Sequence, residues 1–186
     1  MKIGILGGSF NPAHEGHIHI SNIALKSFQL DEIWWLVSPQ NPLKRKFNNS
    51  SLRKRINYAK KISNGYKIRV EDLESKFNTN LTAKTLKIIL ERYKGTKFIW
   101  LMGADNLNEI NKWFNWKNIF NTMPIAVFDR GVYSYSIINS MAGRRYFSKL
   151  YKRKNSISIF NKPLPSWKFV HNSKNPISSS HIRKLI

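Results

Sequence analysis

Short apolar segments alternate along this chain with segments of helical spacing, and this alternation constrains the fold more than any other feature. The first apolar run covers residues 2–6 and ends at Gly7-Gly8, and the following segment, 16–28, has apolar residues at helical spacing. Apolar runs without polar alternation are typical of strands buried on both faces. We therefore predict βαβ units, in which helices cover both faces of a parallel sheet.

The same criteria predict further elements over the rest of the chain. Strands are predicted at 32–37, 66–71, 97–102, 124–128, 156–160 and 167–171, and helices at 51–63, 82–93, 105–121 (in pieces), 135–152 and 178–186. A polar loop with Pro39 and Pro42 is predicted from Ser38 to Ser50. No repeat or linker divides the sequence. We expect one α/β domain over residues 1–186, with a Rossmann-like open parallel sheet.

The composition excludes several classes of protein. Of 186 residues, 41% are hydrophobic, which is enough for a core and excludes disordered and collagen-like chains. No apolar run approaches the roughly 18 residues of a membrane span, and no secretory signal is expected at the start. There is no cysteine, which excludes disulfides and thiolate chemistry. A cytoplasmic location without membrane contact is the expectation.

The charge is strongly positive. Lys and Arg number 32 and Asp and Glu 10, which gives a formal net charge of +22. Such a surface attracts nucleotides or polyanions. The basic residues are scattered, and the abundance of Lys, Asn and Ile is also typical of an AT-rich genome. Composition drift with a small-anion site is favoured over a polyanion partner, although both explanations stay open.

A first candidate site follows the first strand. Ligands of open α/β sheets bind beyond the carboxyl ends of the strands, and Gly7 and Gly8 let backbone amides approach a phosphate there. His14 and His17 are three residues apart, so in a helical turn both rings share one face at the positive end of the dipole. A plain turn with structural histidines is the alternative. A metal site formed by His14, His17 and His19 is disfavoured, because the metal-binding spacing His-Glu-x-x-His is missing and no carboxylate completes the set.

A second candidate site lies near the end of the sequence. Residues 177–184 read Ile-Ser-Ser-Ser-His-Ile-Arg-Lys, in which Ser178 is suited to an N-cap and Arg183 to a phosphate oxygen. By itself this segment is also compatible with an ordinary capped helix end.

Together the two segments resemble a known superfamily. His14-Glu15-Gly16-His17 matches the His-x-Gly-His motif of nucleotidyltransferases, and residues 177–183 match their Ile-Ser-x-x-x-Ile-Arg motif. The resemblance implies ATP binding between the motifs and transfer of AMP with loss of pyrophosphate. It also implies that His14, His17 and Arg183 are catalytic.

Within this superfamily the chain most resembles the bacterial nicotinate-nucleotide adenylyltransferases. The matching segments are Gly8-Ser9-Phe10-Asn11-Pro12, Asn41-Pro42-Leu43-Lys44, Thr82-Ala83-Lys84-Thr85-Leu86, Met102-Gly103-Ala104-Asp105-Asn106 and Trp113-Phe114. The resemblance implies an ATP site at Gly7, Gly8, Ser9, Phe10, His14, His17, Asp105, Ile177, Ser178, Ser180 and Arg183. It implies a nicotinate mononucleotide site at Asn11, Lys44, Thr82, Thr85, Trp113, Phe114 and Arg130. Mg²⁺ is expected on the ATP phosphates, without a metal site of the protein.

Several of these residues also have a simpler interpretation. Trp113 offers a flat face for a pyridine ring, or it packs in the core. Asp105 is an N-cap, a ribose ligand or both, and Thr82 is also suited to capping. Lys44 is expected to be near phosphate, and a solvated surface charge is its alternative.

Some residues differ from the family pattern, and other functions stay open. Asn11 stands where Asp is frequent, Ser180 where Thr is common, and Asp129-Arg130-Gly131 where Arg-Pro-Gly is usual. An adenylyltransferase for nicotinamide mononucleotide or phosphopantetheine is the nearest alternative. A basic RNA-binding domain is an alternative from another class, disfavoured because no basic stripe with interleaved aromatics is evident. The oligomeric state, including a homo-oligomer, is open.

Overall fold

One parallel sheet organises the computed structural model, which describes residues 1–39, 50–129 and 139–171. In these segments the strands follow the order β3-β2-β1-β4-β5-β6, and every neighbouring pair is parallel. The strands are β1 (Lys2–Gly8), β2 (Glu32–Val37), β3 (Ile68–Glu71), β4 (Lys97–Gly103), β5 (Ile125–Phe128) and β6 (Trp167–Val170). The predicted Rossmann-like α/β fold is thus confirmed.

The strand order creates a cleft at the centre of the sheet. The chain runs outward from β1 to β3, returns to pair β4 with β1, and then runs outward to β6 on the other side. The connections that follow β1 and β4 therefore leave in opposite directions. This topological switch point is where open α/β sheets bind ligands.

Helices cover both faces of the sheet. They are α1 (Glu15–Phe28), α2 (Leu52–Ser63), α3 (Leu73–Lys76), α4 (Thr82–Arg92), α5 (Ala104–Glu109), α6 (Trp116–Thr122) and α7 (Met141–Arg145). Successive residues of a strand point to opposite faces, which gives the sheet two cores. Ile33 and Trp35 pack with α1 and α2, whereas Trp34 packs with the face covered by α4 to α7. No described helix is long and apolar enough to cross a membrane.

The strand predicted at 156–160 is wrong. Residues Ser156–Asn161 form a 3₁₀ helix, which begins where the side chain of Asn155 accepts a hydrogen bond from the backbone N–H of Ile157 at 3.1 Å. The alternation of Ser and Ile suggested a strand, but the Asn155 cap stabilises a turn instead. Ile159 is the residue of this turn that enters the core.

The continuous helix predicted at 135–152 is also wrong in its described part. It breaks into α7 and a 3₁₀ turn at Phe147–Lys149, separated by Tyr146. The Tyr146 ring stacks on Phe120 at 4.1 Å, and its carbonyl accepts a hydrogen bond from the indole of Trp167 at 2.7 Å. Tertiary contacts therefore override the helical pattern here. Residues 130–138 and the helix predicted at 178–186 lie outside the described residues.

Candidate functional site

Strand β1 ends with two glycines that lie in different surroundings. A Cβ atom on Gly7 would overlap the indole ring of Trp100 on the neighbouring strand β4, whereas a Cβ on Gly8 would lie 3.4 Å from the Phe10 ring. Gly7 is therefore needed for packing within the sheet. Gly8 leaves space at the carboxyl end of the strand, where backbone N–H groups are able to contact an anion.

The loop after β1 ends at His14, which is the N-cap of α1. Its φ of −155° and ψ of 169° are extended, and its Nδ1 accepts a hydrogen bond from the N–H of Gly16 at 3.1 Å. In return, the Nδ1 of His17 accepts a hydrogen bond from the N–H of His14 at 3.1 Å. The two histidines thus form a capping box, in which imidazoles take the places of the usual hydroxyl and carboxylate.

The capping box sets the tautomer of both rings. A ring nitrogen that accepts a hydrogen bond carries no proton, so the hydrogen of each neutral imidazole is on Nε2. Each ring consequently presents an N–H donor at a helix N-terminus, where backbone amides and the helix dipole favour negative charge. The rings are 3.9 Å apart between centroids, and the residues are 6% and 9% exposed. This pair of donors is suited to phosphate oxygens.

Contacts from the core hold His17 in place. Phe10 is buried, and its backbone has a positive φ of 44°. The centroid of its ring lies 4.7 Å from that of His17 and 4.9 Å from that of Trp35. The indole N–H of Trp35 donates to Ser21 Oγ at 2.9 Å, and Ser21 donates to the carbonyl of His17 at 2.8 Å. Strand β2 therefore supports the position of this histidine.

Asp105 lies on the other side of the switch point. Gly103 is the N-cap of α5 and makes no side-chain capping bond, so the N-cap interpretation of Asp105 is wrong. Asp105 is instead the second residue of α5, half-buried, directly beyond the carboxyl end of β4. Since β4 pairs with β1, the carboxylate belongs to the same edge of the sheet as the histidine loop.

The residues expected around the nicotinate ring belong to neighbouring elements. Thr85 is buried on α4 and its hydroxyl donates to the carbonyl of Leu81 at 3.3 Å, while half-buried Thr82 is the first residue of α4 and not its N-cap. Trp113 packs partly against the core and Phe114 is 51% exposed, in the turn before α6 rather than within a helix. Lys84 of α4 lies 5.8 Å from the centroid of the Phe114 ring. The structure thus brings the threonine helix and the aromatic turn together.

Other expected site residues have different outcomes. In the loop after β1, Asn11 is 4% exposed and Ser9 is half-buried. The remaining ones, Lys44, Arg130, Ile177, Ser178, Ser180 and Arg183, lie outside the described residues.

Two further charged residues at the same edge of the sheet were not predicted from the sequence. Arg55 on α2 is 4% exposed and donates hydrogen bonds to four backbone carbonyls, those of Ser9, Ser38, Pro39 and Ser50. Burial lowers its pKa, although a guanidinium remains charged. One signal was available: Arg55, Ala59 and Ser63 are spaced by four residues and form the buried stripe of α2.

Glu74 is the second overlooked residue. It is 7% exposed on α3 and has a side-chain hydrogen bond with Ser38, the residue after β2. Burial raises its pKa, and the bond with Ser38 opposes this change. Glu74 follows Glu71 and Asp72 in the sequence, and this acidic segment matches no recognisable motif, so the sequence offered no signal for its burial.

Carboxylates do not gather into a metal centre in the described part of the chain. Residues 1–39, 50–129 and 139–171 contain no group of three or more His, Asp or Glu side chains that could hold a metal ion. The polar groups that the structure brings to the start of α1 include the two imidazoles, whose N–H groups are suited to anions.

Comparison with known proteins agrees with this geometry. A family model described as Cytidylyltransferase-like matches residues 5–185. The chain is 40% identical over 184 residues to the probable nicotinate-nucleotide adenylyltransferase of Ruegeria sp. (strain TM1040), covering 99% of this chain and 97% of the relative. It is 36% identical over 183 residues to the protein of the same name from Rhizobium meliloti (strain 1021), covering 98% and 97%.

A solved structure shows the same fold. Plasmodium falciparum nicotinic acid mononucleotide adenylyltransferase complexed with NaAD aligns with a TM-score of 0.73 at 22% identity, covering 98% of this chain and 82% of that chain. The likeness concerns the architecture of the chain.

Proposed function

Because the chain belongs to the Cytidylyltransferase-like family and, within it, to the nicotinate-nucleotide adenylyltransferases, we propose that it transfers AMP from ATP to nicotinate mononucleotide. The products are nicotinate adenine dinucleotide and pyrophosphate, which places the enzyme in NAD biosynthesis. One observation carries the proposal beyond the family: the imidazole capping box, which holds His14 and His17 at the N-terminus of α1 with their ring hydrogens on Nε2.

The reaction is a direct displacement. A 5′-phosphate oxygen of nicotinate mononucleotide attacks the α-phosphorus of ATP, the new P–O bond forms, and the bond to the β-phosphate oxygen breaks with pyrophosphate as leaving group. No proton has to be removed from the attacking phosphate, and no covalent enzyme intermediate is required. Catalysis therefore rests on the positioning of two anions and on the stabilisation of charge in the transition state.

The histidines supply that stabilisation. We assign the Nε2–H groups of His14 and His17 to phosphate oxygens of ATP, because they are preorganised at a helix N-terminus. Gly8, at the end of β1, and Ser9, which follows it, are assigned to contact the ATP phosphates through their backbone. Asp105 is assigned to a ribose hydroxyl across the switch point. Arg183 is proposed to neutralise further phosphate charge, together with Ile177, Ser178 and Ser180 as parts of its motif.

The mononucleotide is proposed to lie towards α4 and the aromatic turn. Trp113 offers a face for the pyridine ring, and Phe114 and Thr85 border the same region through the contact between Lys84 and Phe114. Asn11, Thr82, Lys44 and Arg130 complete the proposed set from the family pattern. The family assignment favours the acid over the amide mononucleotide and over phosphopantetheine.

Mg²⁺ is proposed to accompany the ATP phosphates. The described side chains form no metal-ligand group, and the donors at the switch point fit the phosphates rather than the ion. When bound, Mg²⁺ would neutralise charge on the leaving pyrophosphate. We further propose that the chain acts in the cytoplasm as one domain, with these small molecules as its partners.

A substrate panel tests the proposal. Pyrophosphate release is measured with ATP, Mg²⁺ and, in separate reactions, nicotinate mononucleotide, nicotinamide mononucleotide or phosphopantetheine. We expect turnover with the acid mononucleotide and a loss of roughly 10²–10³ in kcat for His17→Ala. His19→Gln is the matched control, because residue 19 lies about 200° around the helix from residue 17. Turnover with another acceptor alone, or with none, would reject the proposed substrate or the enzyme function.

A further inference from the structure

Arg55 is an unusual buried charge at the carboxyl edge of the sheet. Its Nη1 donates to the carbonyls of Ser9 at 2.5 Å and Ser38 at 2.7 Å, and its Nη2 donates to the carbonyl of Pro39 at 2.9 Å. Its Nε donates to the carbonyl of Ser50 at 3.0 Å. One guanidinium thus joins three pieces of chain that are far apart in the sequence: the loop after β1, the end of β2 and the start of α2.

The charge of Arg55 is balanced by dipoles rather than by an acid. Within residues 1–39, 50–129 and 139–171, no carboxylate forms an ion pair with it. Carbonyl oxygens therefore compensate the guanidinium only partly, and its positive field extends to the loop that contains Ser9. This loop leads to the capping box of His14, so the field falls where the triphosphate is assigned.

The partners of Arg55 are also the ends of a segment. Pro39 and Ser50 are the two described residues that flank residues 40–49, and Arg55 binds the carbonyl of each. Arg55 therefore fixes the position of the β2 end relative to the nucleotide loop through the backbone carbonyls of both.

From this geometry we infer that Arg55 is a positioning residue for adenylyl transfer: it fixes the loop after β1 relative to the end of β2, and so aligns the two substrates. It acts through backbone carbonyls and does not touch the reacting atoms. A flat fork with five N–H donors meets four carbonyls at once, whereas a lysine ammonium has three donors on one atom. The inference rests on the proposed function for its kinetic readout.

The test compares two positions of one helix. Arg55→Gln and Arg55→Lys are paired with Arg53→Gln and Arg53→Lys, since Arg53 is exposed on α2. Pyrophosphate release is measured at a temperature at which each variant is fully folded by circular dichroism. We expect kcat to fall roughly 10–100-fold in Arg55→Gln, the size of effect that slight misalignment produces. We expect the KM for nicotinate mononucleotide to change less than about threefold, partial recovery of kcat in Arg55→Lys, and no change in the Arg53 variants.

Several outcomes would overturn the inference. One is a lower Tm in the Arg55 variants with kcat and both KM values within twofold of the wild type. Another is a failure of both Arg55 variants to fold, because Arg55 would then be a determinant of folding.

A wild-type protein without turnover would instead reject the proposed function. In that case the positioning role of Arg55 is tested by measuring ATP binding by calorimetry. At least fivefold weaker binding in Arg55→Gln than in Arg53→Gln supports the positioning of the nucleotide loop, and equal binding overturns it.

Discussion

The Nδ1 of His17 accepts the backbone N–H of His14 across a single turn of helix, at 3.1 Å. The same two residues therefore stabilise the start of α1 through Nδ1 and carry their ring hydrogens on Nε2. Each ring caps the helix through Nδ1 and is proposed to bind phosphate through Nε2. A substitution that keeps the capping acceptor but removes the imidazole therefore separates the two roles.

The first prediction separates capping from catalysis at His14. Asn is a strong N-cap residue, so His14→Asn should keep the start of α1, whereas His14→Ala should lose about 1 kcal/mol of stability. Neither variant has an imidazole, and both should lose roughly 10²–10³ in kcat. Urea denaturation and pyrophosphate release measure the two effects. Full activity in His14→Asn would show that the ring is needed only as a cap.

The second prediction concerns the packing of Gly7 against Trp100. A methyl group on Gly7 would overlap the indole ring, so Gly7→Ala should lose roughly 1–3 kcal/mol of stability. Gly8→Ala is the matched control for stability, because its Cβ would meet Phe10 at an ordinary 3.4 Å. Combining Gly7→Ala with Trp100→Phe should cost less than the sum of the two changes, as denaturation of all three variants would reveal. Strict additivity would be evidence against the proposed overlap.

The third prediction concerns the ring of the acceptor substrate. Trp113→Leu keeps an apolar side chain but removes the flat face, so the KM for nicotinate mononucleotide should rise about twofold to tenfold, the worth of one aromatic contact. The KM for ATP should stay within twofold. Trp116→Leu is the control, since Trp116 packs edge-on against Phe120 and Tyr146 and should affect stability alone. The same KM change at both positions would argue for a structural role of Trp113.

The fourth prediction concerns Glu74 and pH. Its pKa is raised from 4.5 by burial, so the native state keeps the proton after the unfolded state has lost it. The free energy of unfolding should therefore fall as pH rises from 4.5 through the raised pKa, and Glu74→Gln should remove this loss. The variant should gain stability relative to wild type over that window and level off above it, as urea denaturation at a series of pH values would measure. A stability difference between Glu74→Gln and wild type that does not change with pH would refute the explanation.

Much of the fold could be predicted from the sequence, because parallel strands that are buried on both faces consist of short apolar runs. The segments 32–37 and 97–102 illustrate this, since they became β2 and β4 with at most one residue of difference at an end. Segment 156–160 failed because a strand pattern of five residues is weak evidence, and the Asn155 cap decided the local structure. The prediction of a continuous helix through Tyr146 failed for another reason. Tyr146 contacts Phe120 and Trp167, which are distant from it in the sequence.

The candidate site was predictable only where a motif exists. His14 and His17 were predicted by their spacing, but their mutual Nδ1 bonds required the geometry of the helix start. Arg55 stands in the basic run Arg53-Lys54-Arg55, and sequence alone does not distinguish a buried guanidinium from a solvated one. Its four partners are backbone carbonyls, which leave no trace in the side-chain pattern.

The fate of labelled phosphate tests the central claim most directly. The protein is incubated with nicotinate mononucleotide, Mg²⁺ and ATP labelled at either the α- or the γ-phosphate, and the products are separated by chromatography. Adenylyl transfer predicts the α label in a dinucleotide and the γ label entirely in pyrophosphate, with both transfers slowed roughly 10²–10³-fold in His17→Ala. The γ label in the nucleotide acceptor, or both labels remaining in ATP, would contradict adenylyl transfer by this chain.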